Sequence, residues 1–347
     1  MAPNVQVVNY SKGSDFQSKV LDKVGTKLGT DIGKAILTKL GTATTIKVAG
    51  IDFPASKLSL GDKDTLSSQK PDILLLPVAK VAAKNITATD LANTKVALVN
   101  PLSGLSDTVI SGLDGIISRD ARPVTLDSTK DGLKNFNGII QTSSGADTIS
   151  LSASKGVTVD TGAGNDKLSF TGLVNKSSVA GGDGTDTFTF SQAFATTASS
   201  VTVVGGNQSD TLDLSTITGP VKVTMPATGN VAVVGGASTV KAVLAINTVE
   251  TVKLGSGADT VAITGLGGVS SVSTGSGNDS ISVAKAAISS ANKGKIISVD
   301  GGSGTDTLDL TAFTKAQVST SKSGTVTTVI IKDGPILKVT GVETIKS

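Results

Sequence analysis

Seven aspartates sit in one recurring nine-residue setting: TSSGADTIS (142–150), TGAGNDKLS (161–169), GGDGTDTFT (181–189), GGNQSDTLD (205–213), LGSGADTVA (254–262), TGSGNDSIS (274–282) and GGSGTDTLD (301–309). The sixth residue is always Asp (Asp147, Asp166, Asp186, Asp210, Asp259, Asp279, Asp306). The eighth is always apolar (Ile149, Leu168, Phe188, Leu212, Val261, Ile281, Leu308), and glycine holds the second and fourth positions in six copies each. A carboxylate flanked by glycines is oxygen chemistry. It can hold a hard cation, and the freely turning backbone can aim carbonyls at the same ion, so Ca²⁺ is the first candidate.

Composition removes most competing chemistry. The 347 residues include no His and no Cys, which excludes Ser-His-Asp and Cys-His catalysis, His general bases and zinc sites of ordinary ligand type. Neither G-x-S-x-G nor H-E-x-x-H occurs. GTDIGKA (29–35) lacks the spacing of a phosphate loop and the hydroxyl residue after its lysine. The chain is expected not to be an enzyme. A lysine-rich surface with two Arg and one Tyr offers no stacking platform for bases, which sets nucleic acid aside.

The elements that position the aspartates follow from their spacing. Successive intervals are 19, 20, 24, 49, 20 and 27 residues. A period near 20 marks a solenoid in which each repeat is one coil and neighbouring coils bury each other's apolar positions. Each coil reads as a strand, a Gly-Asp turn, a second strand and a looser turn. Coils stacked at about 4.8 Å bring the same Asp of each coil close to the next. Close carboxylates raise one another's pKa unless a cation lies between them. Read as turn chemistry alone, the pattern would leave a stack of like charges.

This nonapeptide resembles the RTX, or haemolysin-type calcium-binding, repeat G-G-x-G-x-D-x-U-x; GGDGTDTFT and GGSGTDTLD match every specified position. The resemblance covers roughly residues 140–347. It implies a parallel β-roll, export by a type I pathway without a cleaved N-terminal signal, and folding on extracellular calcium. It also implies turn ligands beside the seven Asp: Thr161, Ala163 and Asn165; Gly181, Asp183 and Thr185; Ser256 and Ala258; Ser276 and Asn278; Gly301, Ser303 and Thr305. With coils near 20 residues rather than back-to-back nonapeptides, the ions are expected along one edge only. Gln208 and Ser143 replace turn glycines, which makes the 205–210 and 142–147 turns the weakest sites.

A longer repeat pairs Val249-Glu250-Thr251-Val252-Lys253 with Val342-Glu343-Thr344-Ile345-Lys346. It places the end of the chain where another calcium turn would begin, either as a simple terminus or as an open end on which a second subunit stacks.

Residues 1–130 read as a separate N-terminal anchoring or assembly region, and 131–347 as the calcium-binding solenoid. Phe16, Val20, Val24, Leu28, Ile32, Ile36 and Leu40 recur every four residues, which predicts a helix over about 15–40. Lys19, Lys23, Lys27 and Lys34 make its exposed side basic: a solvated face, or a surface that docks on anionic cell-surface glycolipid. ILLLPVAKVA and TKVALVNPL read as strands, and GDKDTL (61–66) as a degenerate repeat turn. No 18-residue apolar run exists, so no transmembrane segment is expected.

The expected protein is therefore mainly β, a parallel β-roll or β-helix solenoid preceded by a smaller helix-containing region, located outside the cell or on a bacterial surface. Its expected role is a secreted calcium-dependent structural subunit of a surface layer or extracellular matrix, binding several Ca²⁺ ions and itself. A monomeric calcium-binding adhesin or binding module is the first alternative, and an exported enzyme whose repeats serve only secretion ranks below it.

Overall fold

A computed structural model defines the fold and describes residues 5–11, 45–51, 73–75, 96–99, 115–118, 123–127, 136–152, 156–171, 177–191, 199–226, 230–235 and 242–347. The expected helix over 15–40, its four lysines and the 61–66 turn lie outside the described residues. The chain is mainly β and rich in parallel strand pairs, as a solenoid requires. It divides into two compact units, Met1–Asp166 and Lys167–Ser347.

In the first unit, Val5–Ser11 pairs antiparallel with Thr45–Ile51. Ile73–Leu75, Val96–Val99, Gly115–Ser118, Ile139–Gln141 and Thr158–Ala163 then follow in parallel, each hydrogen-bonded to the one before. The strands read from ILLLPVAKVA and TKVALVNPL are thus present, as Ile73–Leu75 and Val96–Val99. A second sheet pairs Thr125–Asp127 with Thr148–Ser152, also in parallel.

The second unit holds the longer stacks. One sheet, here sheet B, runs Lys167–Thr171, Thr187–Phe190, Thr211–Asp213, Thr251–Lys253, Ser271–Ser273, Ile296–Asp300 and Ile336–Thr340, all parallel. It closes with the antiparallel pair Val326–Ile331 and Val318–Ser323. The other, sheet A, contains Ser177–Asp183, Ser199–Asn207 and Ala242–Asn247, then Val231–Gly235 and Val221–Met225 as an antiparallel meander. Thr260–Ile263, Ser280–Val283, Thr307–Asp309 and Thr344–Lys346 complete it in parallel. Among the described residues, the helical content is one 3-10 turn, Lys285–Ala287.

Alternation of period two explains the strands. Lys167–Thr171 buries Leu168 and Phe170 and exposes its other three residues; Ile296–Asp300 buries Ile297 and Val299, exposes Ile296 and Ser298 and leaves Asp300 half-buried. Parallel register then stacks like on like, since each strand repeats the direction and phase of its neighbour. Leu168, Phe188, Leu212, Val252, Val272, Val299 and Val339 form one buried column in sheet B. Val223, Val261, Ile281 and Leu308 form its counterpart in sheet A. All seven eighth-position residues of the nonapeptide are fully buried. The core is thin and aliphatic, and its largest buried side chains are Phe170, Phe188 and Phe190. The rings of Phe170 and Phe190 lie 5.1 Å apart, tilted by 33°.

Phe188 is central to the sheet B column, so Phe188→Ala is expected to destabilise the protein by about 3–5 kcal/mol, the usual cost of an aromatic deletion in a closed core. Urea unfolding of the two proteins measures this. A loss below about 1 kcal/mol would mean that the column is not packed as described.

Candidate metal centre

The seven repeat aspartates are among the most buried polar residues of those described, each no more than 2% exposed. Their carboxylates point into the stack of turns rather than out to solvent. Asp147, Asp166, Asp210, Asp259, Asp279 and Asp306 each lend Oδ1 to a backbone N–H of the adjacent coil. In the first unit, Val124 donates to Asp147 (2.6 Å) and the Asp147 N–H donates to Asp166 (2.7 Å). In the second unit there are two such ladders. Asp186 donates to Asp210 (2.8 Å). Separately, Val221 donates to Asp259, Asp259 to Asp279 and Asp279 to Asp306, each at 2.7 Å.

The two ladders of the second unit occupy opposite edges. Asp186 and Asp210 lie where the chain passes from sheet A to sheet B; Asp259, Asp279 and Asp306 lie where it passes from B back to A. The expectation of turns along one edge is therefore corrected. The reason is the stretch between Asp210 and Asp259. Sheet A there receives three strands in succession, Val221–Met225, Val231–Gly235 and Ala242–Asn247, before the chain returns to sheet B. The next nonapeptide then begins half a coil later, on the other side.

Both ladders of the second unit end on a glutamate that the nonapeptide does not contain. The Asp210 N–H donates to Glu250 Oε2 (2.8 Å), and the Asp306 N–H donates to Glu343 Oε2 (2.7 Å). Strand register shows how this fits. Six residues (205–210) bridge Val204 and Thr211, whereas three (248–250) bridge their partners Asn247 and Thr251. Likewise 301–306 is matched by 341–343 between Thr340 and Thr344. Both short turns open in the left-handed region, Thr248 at φ 50° and Gly341 at φ 57°. With half the backbone removed, the longer Glu side chain spans the remaining distance. The sequence signal was the V-E-T-[VI]-K repeat itself.

The ladder of the first unit and the second ladder of the second unit start alike. Val124 and Val221 each follow a proline, Pro123 and Pro220. Proline has no N–H, so no unpaired donor is left beside the first rung.

The implied turn ligands lie where neighbouring turns stack. The carbonyls of Ser143, Gly255 and Gly275 accept from Ala163, Ser276 and Ser303 N–H groups, and those of Asn207 and Ser303 accept from Gly184 and Gly277. The Thr142 hydroxyl donates to Thr161 O, and the Thr274 hydroxyl to Gly301 O, both at 2.9 Å. Stacking is close: a Cβ on Gly304, at φ 139°, would collide with the Gly277 carbonyl. Gln208 adopts φ 75°, a costly conformation for a residue with a side chain, and its Oε1 accepts the Gly184 N–H (2.6 Å). Asp183 is tied at the surface, its Oδ1 accepting from Asn207 Nδ2 (2.6 Å).

The electrostatics are one-signed. Burial pushes up the carboxyls of Asp147, Asp166 and Asp306, and takes those of Asp210 and Asp259 to about 6. The charges acting on Asp210, Asp259 and Asp306 are other carboxylates: Glu250 on the first, Asp279 on the second, and Asp279, Glu343 and Asp300 on the third. The Oδ2 atoms of Asp210, Asp259, Asp279 and Asp306 are buried without a hydrogen-bond partner. An orphaned anionic oxygen, glycines that leave the backbone close and turn carbonyls near Asp210 and Asp306 fit a hard cation. Among the described residues no three carboxylates converge, so such an ion would rest on one or two carboxylates and backbone oxygens. No protein-family model matches the chain, and no curated protein matches it.

The raised carboxyls fix a pH dependence. Their folded pKa values exceed the ordinary value of 3.8, so the folded state binds more protons and stability falls as pH rises from about 4 to about 6. In EGTA, the urea midpoint is expected to be higher at pH 5 than at pH 7.5. Millimolar Ca²⁺ should raise the midpoint more at pH 7.5 than at pH 5. A midpoint in EGTA that climbs between pH 5 and 7.5 would contradict the one-signed ladder.

Proposed function

We propose that the chain is a secreted, calcium-dependent structural protein that self-assembles as a subunit of a surface layer or extracellular matrix. The observation that carries this reading is the set of stacked, buried carboxylates, each with an oxygen that takes no hydrogen bond in Asp210, Asp259, Asp279 and Asp306. A buried charge without a partner costs several kcal/mol, and a divalent cation between coils is the economical remedy. The ligands would be these carboxylates with turn carbonyls of the residues the RTX resemblance implies. Calcium at about 10⁻⁴–10⁻³ M is the range in which extracellular modules fill. An ion present at about 100 times its dissociation constant adds about 2.7 kcal/mol per independent site.

Self-assembly is supported by the outer face of sheet B near its end. Ile296, Ile336 and Ile330 lie side by side on three adjacent strands, and Ile296 and Ile330 are 56% and 44% exposed. Three adjacent isoleucines on a flat outer face favour contact with another apolar surface. The monomeric adhesin keeps one observation in its favour. The outermost strand of that sheet, Val318–Ser323, carries Lys322 among hydroxyl side chains, a composition that discourages edge-to-edge pairing.

Light scattering and electron microscopy of the purified protein in EGTA, then in millimolar Ca²⁺, separate the two. Sheets or filaments that grow with calcium, and that Ile296→Ser with Ile330→Ser suppresses, are the expected result. Folding by calcium without growth would establish the monomeric reading instead. No response of either folding or size would remove calcium from the account.

A further inference from the structure

The two ladder ends are alike in a way that the nonapeptide does not predict. At the first, a Cβ added to Gly205 would collide with both the Thr248 carbonyl oxygen and Asp210 Oδ2. At the second, a Cβ added to Gly301 would collide with the Gly341 carbonyl oxygen and approach Asp306 Oδ2 at 2.9 Å. In each place the missing side chain lets a carbonyl of the short turn and the unpartnered oxygen of the last Asp gather at one point. Asp210 and Asp306 are fully buried, and neither Oδ2 has a hydrogen-bond partner. A glutamate completes each group: Glu250 and Glu343 use one oxygen, Oε2, on the Asp N–H of the coil below. The same arrangement is thus built twice, on opposite edges, from the same short turn.

We propose that the short turns form two further divalent-cation sites, one from Asp210, Glu250 and the Thr248 carbonyl, the other from Asp306, Glu343 and the Gly341 carbonyl. This rests on the calcium reading of the ladders and extends it to residues outside the repeat. Each site draws two carboxylates and a carbonyl from two coils, so an ion there joins the last turn of a ladder to the coil that closes it. Glu343 is exposed and Glu250 half-buried, so both sites open to solvent and can exchange their ion without unfolding the stack. Glutamate rather than aspartate is required because the turn is three residues shorter. A carboxylate is required rather than an amide because the N–H acceptor role alone could be filled by glutamine.

That last contrast gives the test. Glu250→Gln, Glu343→Gln and the double variant of the full chain keep the acceptor for the Asp N–H and remove the charge. Calcium stoichiometry is measured by isothermal titration calorimetry and by equilibrium dialysis with Ca²⁺ alone, and a thermal melt in EGTA reports folding. The expected result is the loss of one bound ion in each single variant and of two in the double variant, with the EGTA melt of the parent retained or raised. Unchanged stoichiometry in the double variant, with the parent binding calcium, overturns the two sites and leaves the ladders intact. A parent that binds no calcium overturns the ladder reading and these sites together. Should Glu250→Gln lose its melt, Glu343→Gln decides alone, since its side chain lies at the surface.

Discussion

A buried carboxylate that accepts one backbone N–H from the next coil is the interaction on which the structure rests. It locks the register of adjacent turns, because the donor is the amide of the equivalent Asp and a slip of one residue would present the wrong group. It also leaves the carboxylate half satisfied. An anion with one oxygen bonded and the other enclosed is tolerable only if protonated or neutralised by a cation. The glycines serve the same end. Turns that must approach closely enough for this bond have no room for a Cβ between them, as at Gly304 over Gly277.

The apolar residue two places after each Asp anchors the other side of the turn. Once the Asp is held, the eighth position falls inside the roll, and in parallel register it stacks on its own kind. Stability is then roughly a sum over nearest-neighbour coils, with aliphatic columns and the carboxylate ladder formed together. Local, repeated satisfaction of the same few groups does nearly all of the organising.

Much of this was legible in the residues. The Asp and apolar positions of the nonapeptide predicted both the stacked turns and the buried columns, since strand alternation is strict. The side on which each turn lies was not, and the interval of 49 shows why. It is the sum of 40 residues from Asp210 to Glu250 and nine from Glu250 to Asp259, one coil lengthened by an inserted antiparallel strand pair and then half a coil, rather than a whole number. Spacing alone does not say that Val221–Met225, Val231–Gly235 and Ala242–Asn247 all join one sheet, because antiparallel meander strands alternate just as parallel ones do. Glu250 and Glu343 were visible as a repeat. Their part as closing rungs required the strand register, which counts three residues against six.

The paired boundaries of the second ladder of Lys167–Ser347, proline before Val221 and a short glutamate turn at 341–343, make its length a free variable. The ladder bond at each boundary reaches a single rung, Val221 to Asp259 and Asp306 to Glu343, so one more nonapeptide with its two strands, about 20 residues, would add a rung and repeat the same bonds at both ends. A cassette of that kind can lengthen or shorten the stack while every product keeps the same start and the same finish.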